Sequence, residues 1–199
     1  MGEEAIASAP VIFLAAIITN NILLSDYLGL CAFVAISRMV RTSLGMGAAV
    51  TFVMGCTTVI NYALYHFVLV PYGLEYLQLI VFIVVIAAFV QLVEMVIERF
   101  TPVLYYNLGI FLPLITVNCA ILGASLFMVI RNYSFAQTVS YGVGSGIGWA
   151  LVITLMAGAR QRLRFSNIPH KLQGLGITMI LTALMAMAFM GFTGMVTIQ

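Results

Sequence analysis

The side chains best suited to chemistry in this chain are its three cysteines, Cys31, Cys56 and Cys119. A cysteine set in apolar sequence is by default a small, inert filler, and Cys56 is read that way. Cys31 and Cys119 stand apart, because a slide of 88 residues places Cys31 of LGLCAF over Cys119 of VNCAIL, with Ala32 and Ala120 following in step. Two thiolates brought together could form a disulfide, hold one metal with outside help, or supply half of a four-cysteine iron–sulfur cluster. Two cysteines cannot complete such a cluster, so a chain holding one would need a partner with a similar pair. Among the acids, Glu94 shares a helical face with Gln91 and Glu98, which suits an ion vestibule or a contact with another chain as well as plain pairing with Arg99. Asp26 belongs to the polar run Asn20, Asn21, Ser25 and Asp26, in otherwise apolar surroundings where an ionised carboxylate is costly. The two histidines, His66 and His170, lie too far apart in depth for a bis-histidine haem pair.

The elements that hold these residues are set by composition. The hydrophobic set makes up 63% of the chain and the charged set 7%, against about 25% charged residues in soluble domains. The apolar runs are near twenty residues long, the length that crosses roughly 30 Å of hydrocarbon as a helix. Six transmembrane helices are predicted, at 10–36, 44–70, 76–97, 102–130, 135–159 and 173–196, forming one all-α membrane domain over 1–199. They leave no room for a nucleotide-binding or other soluble domain, and no nucleic-acid partner is expected. The start MGEEAIASAP is acidic where a signal peptide would be basic, and reads as the uncleaved entry to helix one.

Assigned alternately to the two sides, the loops place Arg38, Arg41, Arg99, Arg160, Arg162, Arg164 and Lys171 on one side and Arg131 on the other. The positive-inside bias makes the first side cytoplasmic and puts both termini outside, periplasmic in a bacterial inner membrane. The basic stretch from Arg160 to Lys171 is topogenic or lipid-facing charge, with docking of a cytoplasmic partner as the sharper alternative.

The halves also echo one another. A shift of about 97 overlays GMGAAV at 45–50 on GVGSGI at 142–147, and a shift of 98 lays Leu74 on Leu172. Repeats of three helices, at approximately 10–97 and 102–197, must lie upside down to one another, an arrangement that puts a functional site near the midplane. The first helix of each repeat is expected to be discontinuous ahead of its cysteine. Pro113 lacks an amide hydrogen and frees the carbonyl of Gly109, and helix four gathers Gly109, Pro113, Thr116 and Asn118 where helix one has its polar run. Asn118, Asp26 and Glu94 are the candidate ion-path or tuning residues.

Beyond these patterns, LGLCAF at 28–33, QLVEM at 91–95, LGIFLPLITVNCAIL at 108–122, YGVGSGIGW at 141–149 and LQGLGIT at 172–178 resemble the small hydrophobic subunits of the Nqr and Rnf redox pumps, from about Asn20 to Met195. The first half looks like the A subunit of Rnf, which oxidises ferredoxin and reduces NAD. The second half, with FMVIRNYSF at 127–135 and the stretch from GIGWAL to LGIT, is more similar to the E subunit of the sodium-translocating NADH:quinone (ubiquinone) oxidoreductase, the branch favoured here. Ala32, where the Rnf-like pattern has proline, leans the same way. The resemblance implies that Cys31 and Cys119 ligate an intramembrane [2Fe–2S] cluster shared with a homologous, oppositely oriented partner chain. It further implies a multi-subunit complex and Na+ as transported ion, and it places the family's covalent flavin on another polypeptide. No flavin or haem is expected on this chain, whose role would be electron transfer within a larger enzyme and not catalysis alone. A secondary transporter or ion channel without redox function is the rival reading of an inverted repeat.

Overall fold

The computed structural model describes residues 9–100, 112–163 and 174–191, and every regular element among them is helical. We number the helices α1 (Ala9–Ile17), α2 (Leu30–Ile36), α3 (Val40–Leu64), α4 (Gln78–Phe100), α5 (Leu112–Thr116), α6 (Cys119–Ile130), α7 (Phe135–Leu163) and α8 (Leu175–Met190). α3 continues through a π-turn, Tyr65–Leu69, to Tyr72, and Gly73 ends it with a left-handed backbone (φ 64°). Four helical stretches are long and apolar enough to cross a membrane, Val40–Tyr72, Glu75–Val96, Pro113–Ile130 and Phe135–Leu163, with Leu175–Met190 a shorter apolar helix. The chain is a multi-pass membrane protein of helices.

The first span is discontinuous, as its polar run led us to expect. α1 stops at Ile17, and the chain runs without regular helix through 18–29 before α2 begins. Local sequence makes this break tolerable in an apolar medium, where every backbone polar group needs a partner. The buried Asn21 donates from Nδ2 to the carbonyl of Ile17 and accepts at Oδ1 from the amide of Leu23, so one side chain serves both edges of the interruption. Tyr27 and Gly29 then take positive φ values, 55° and 88°, which turn the chain into α2. The fourth span is also interrupted, ahead of its cysteine as expected. Pro113 lies in α5, and the break falls at Val117–Asn118, directly ahead of Cys119. The carbonyl of Gly109 lies outside the described residues.

The bundle is centred on α3 and α7, which pack closely along their lengths because α7 is poor in side-chain bulk. A Cβ on Gly146 would come within 2.7 Å of the Thr51 backbone, and one on Gly47 within 2.7 Å of the Ala150 side chain. One turn around α7, a Cβ on Gly144 or Gly148 would lie 2.9 Å from the carbonyls of Phe13 and Ala16 on α1. Small residues at i, i+4 spacing let helix backbones approach where no hydrophobic drive separates helix from lipid. Trp149, Phe33, Met46, Met54, Ile121 and Ile153 fill the interior around this seam. α4 and α8 lie at the margin, with Ile80, Ile83, Val84, Leu184 and Met187 exposed.

Candidate functional site

Both helix breaks arrive at one place. The amide of Gly29, which precedes Cys31 by two residues, donates to Sγ of Cys119 across 2.9 Å. Gly29 is the left-handed N-cap of α2, and Asn118, extended at ψ 109°, is the N-cap of α6, so each cysteine stands in the first turn of the helix that follows its break. Asn118 caps through Oδ1, which accepts from the amide of Ala120 at 3.1 Å. Two residues of chain span no more than about 7 Å, so Cys31 and Cys119 belong to one neighbourhood. Cys31 is exposed and Cys119 half-buried.

The wall behind Cys119 is polar in an unusual way. A Cβ on Gly29 would lie 2.7 Å from Nε1 of Trp149, 3.0 Å from Oδ1 of Asn118 and 3.2 Å from Cβ of Ala120, so only glycine fits this crossing. Trp149 is wholly buried and Asn118 nearly so, yet Trp149 Nε1 and Asn118 Nδ2 have no hydrogen-bond partner among the described residues. Buried donors are ordinarily satisfied, so these two call for an explanation. Trp149 is also the middle residue of α7, Phe135–Leu163, which puts this shell deep in the bundle.

Next to it, the polar run of the first break lines a cavity of about 230 Å³ with Thr19, Asn20, Asn21 and Ser25 on one side and Ala186, Phe189 and Met190 of α8 on the other. Asp26 lies within the same break. It is exposed, within electrostatic range of Arg131. That guanidinium is held by a 3.1 Å bond to the Tyr133 hydroxyl and lies over the rings of Phe127 and Tyr141, at 5.4 and 5.8 Å. The acid that reads as an intramembrane charge thus sits in the field of the basic residue that the loop assignment isolates.

Other candidates are not brought to the cysteines. Glu94 is half-buried on α4 beside exposed Gln91 and Glu98, on the outer face of the bundle. Cys56 lies in mid-α3, half-buried. His66 is exposed in the π-turn, with its ring centroid 4.7 Å from that of Tyr62, and His170 lies outside the described residues, as do Arg164, Lys171, Leu172, Glu3 and Glu4. Arg160, read as topogenic charge, also supports the fold. Its Nη1 donates to the carbonyl of Val34 at 3.2 Å and to Oγ of Ser37 at 2.8 Å, serving the C-terminal end of α2. Sequence reasoning passed over Gly29 and Trp149. The signal available was the chain's one tryptophan, set in mid-helix, where its N–H must find a partner.

Comparison with known proteins covers nearly the whole chain. The family described as Rnf-Nqr subunit, membrane protein, matches residues 10–196. The E subunit of the Na(+)-translocating NADH-quinone reductase of Pseudoalteromonas translucida is 50% identical over 193 residues, which cover 92% of this chain and 96% of that one. The A subunit of the Na(+)-translocating ferredoxin:NAD(+) oxidoreductase complex of Acetobacterium woodii is 48% identical over 184 residues, with 92% and 96% covered. The A subunit of the ion-translocating oxidoreductase complex of Syntrophotalea carbinolica is 49% identical over 189 residues, with 93% and 96% covered.

Proposed function

The chain belongs to the Rnf-Nqr family of membrane subunits, and from that membership we propose that it is the electron-transfer subunit of an ion-translocating oxidoreductase in the bacterial inner membrane, with Cys31 and Cys119 as half of a [2Fe–2S] site. It works as one part of a redox enzyme and carries no complete active site of its own. The observation that carries the reading is the bond from the Gly29 amide to Cys119 Sγ, which joins the two cysteine-bearing breaks.

The residues present fit such a group. The backbone amide of Gly29 donates to the Cys119 sulfur, as a thiolate ligand with added negative charge requires. Exposed Cys31 leaves the other edge open to a second chain. Cys56, in mid-α3, is the one further cysteine in the sequence, so on this reading the remaining cysteine ligands come from a partner. A homologous chain in the opposite orientation would bring the matching pair. A bound [2Fe–2S] cluster would supply a one-electron carrier deep in the bilayer. The chain's own residues position the two sulfurs, exclude water through Trp149 and Ala120, and brace the helices that follow each cysteine.

Support for the inverted repeat comes from contacts that recur in both halves. Gly47 meets Ala150 and Thr51 meets Gly146, a pattern that maps onto itself when α3 is overlaid on α7 with a shift of 99, two residues from the overlay that the glycine motifs alone suggested. With 88 for the cysteine-bearing helices, the bond from Asn61 to Ser125 (2.9 Å) has as its counterpart the bond from Arg160 to Ser37 (2.8 Å). On this reading each inner helix is latched by a serine to the central helix of the other half, once from each side of the membrane. Arg131 stands alone outside and both termini are periplasmic.

Nqr is the branch we favour, on the second-half motifs; identities of 50% against 48–49% do not separate the branches. Purified with its partners, the complex should show a reduced-iron electron paramagnetic resonance signal that is lost in Cys31→Ala and Cys119→Ala and kept in Cys56→Ala. Loss in none of the three would reject the assignment, and an iron-free complex that still moves ions would favour a transporter. Oxidation of NADH with quinone, or of ferredoxin with NAD+, tells Nqr from Rnf.

A further inference from the structure

If Cys31 and Cys119 hold the cluster as proposed, on which this step rests, two donors remain to be explained. Trp149 Nε1 and Asn118 Nδ2 are buried without acceptors among the described residues, in the shell that contains Gly29 and Cys119. Both side chains are fixed by other contacts. Trp149 is enclosed on every side, and Asn118 is tied down through its Oδ1 cap on Ala120. Neither donor can turn to water, and a buried donor left unmet is costly.

We propose that the indole N–H of Trp149 and the amide NH2 of Asn118 are redox-tuning donors, reserved with the Gly29 amide for the sulfurs at the Cys119 edge of the bound cluster. A donor aimed at a ligand sulfur stabilises the more negative, reduced state and raises the potential. The set is one-sided. In the register that pairs Gly47 with Ala150 and Thr51 with Gly146, the first-half counterpart of Trp149 is Val50, a buried residue with no side-chain donor. The two halves of the chain therefore offer unlike surroundings to their cysteines. Glycine at position 29 is part of the device, since any Cβ there would push the indole away.

The test is a potentiometric titration of the iron signal in the purified complex, the signal from this site being identified by its loss in Cys31→Ala. Trp149→Phe keeps an aromatic ring and removes the donor. Asn118→Ser keeps an acceptor for the Ala120 amide and removes the NH2. Each should leave the signal present and make reduction about tenfold less favourable, a fall of about 59 mV for one electron. A signal of full intensity with an unchanged or raised midpoint in both variants overturns the tuning role while leaving the cluster assignment intact. A signal indifferent to Cys31→Ala and Cys119→Ala removes the assignment and this inference with it. Should Trp149→Phe fail to assemble, Asn118→Ser decides alone.

Discussion

At the scale of single residues, Gly29 and Asn118 do comparable work by different means. Gly29 holds a left-handed backbone that costs another residue roughly 1–2 kcal/mol, and its missing Cβ admits Trp149. Gly29→Ala should therefore lower the thermal stability of the detergent-solubilised protein and reduce its iron content together. Asn118→Ala removes a helix cap worth about 1 kcal/mol, so it should lower stability further than Asn118→Ser does. An equal effect of the two substitutions would show that the cap is not what Asn118 contributes. That Cys31 and Cys119 come into one neighbourhood was legible because type and spacing mark them. Gly29 and Trp149 were not, because their roles exist only where residues 29, 119 and 149 meet in space. The electrostatic reach of Arg131 to Asp26 was not legible for the same reason, since Arg131 lies far along the chain in the second half.

At the scale of elements, the glycines of α7 give a contrast that composition cannot. A Cβ on Gly146 would meet the Thr51 backbone at 2.7 Å, whereas one on Gly45 of α3 would meet nothing within 4 Å. Gly146→Val should cost about 1–3 kcal/mol by forcing α3 and α7 apart, and Gly45→Ala should be neutral or slightly stabilising, as read by melting in detergent. Similar melting of the two variants would mean the central seam is looser than the close approach implies. The breaks were partly legible too. The polar run of helix one announced an interruption, and Asn21 shows how it is made, by serving a carbonyl and an amide at once. In helix four the break falls directly ahead of Cys119, where the pattern put it, and Asn118, a good cap, starts the next segment.

At the scale of the whole molecule, hydropathy made the membrane class and most spans plain, since few alternatives exist for so apolar a chain. What lies against α4 was not legible, for an exposed apolar face in lipid reads the same whether tails or a partner cover it. Orientation is testable directly. An impermeant thiol reagent applied to intact cells should label Asn132→Cys and spare Arg162→Cys, and the reverse pattern would invert the topology; both positions are exposed. Ion movement coupled to electron transfer carries its own check. Sodium uptake by vesicles driven by the electron donor should stop in Cys119→Ala, and uptake that continues without the cluster would separate transport from the redox site.

The central claim is that the sulfurs of Cys31 and Cys119 share one small volume inside the bilayer. Treating the iron-stripped chain with a short bifunctional thiol reagent and sequencing the peptides by mass spectrometry tests it most directly. The expected product is a bridge between Cys31 and Cys119 with Cys56 modified singly or not at all. Separate modification of Cys31 and Cys119, with no bridged peptide between them, would contradict the account.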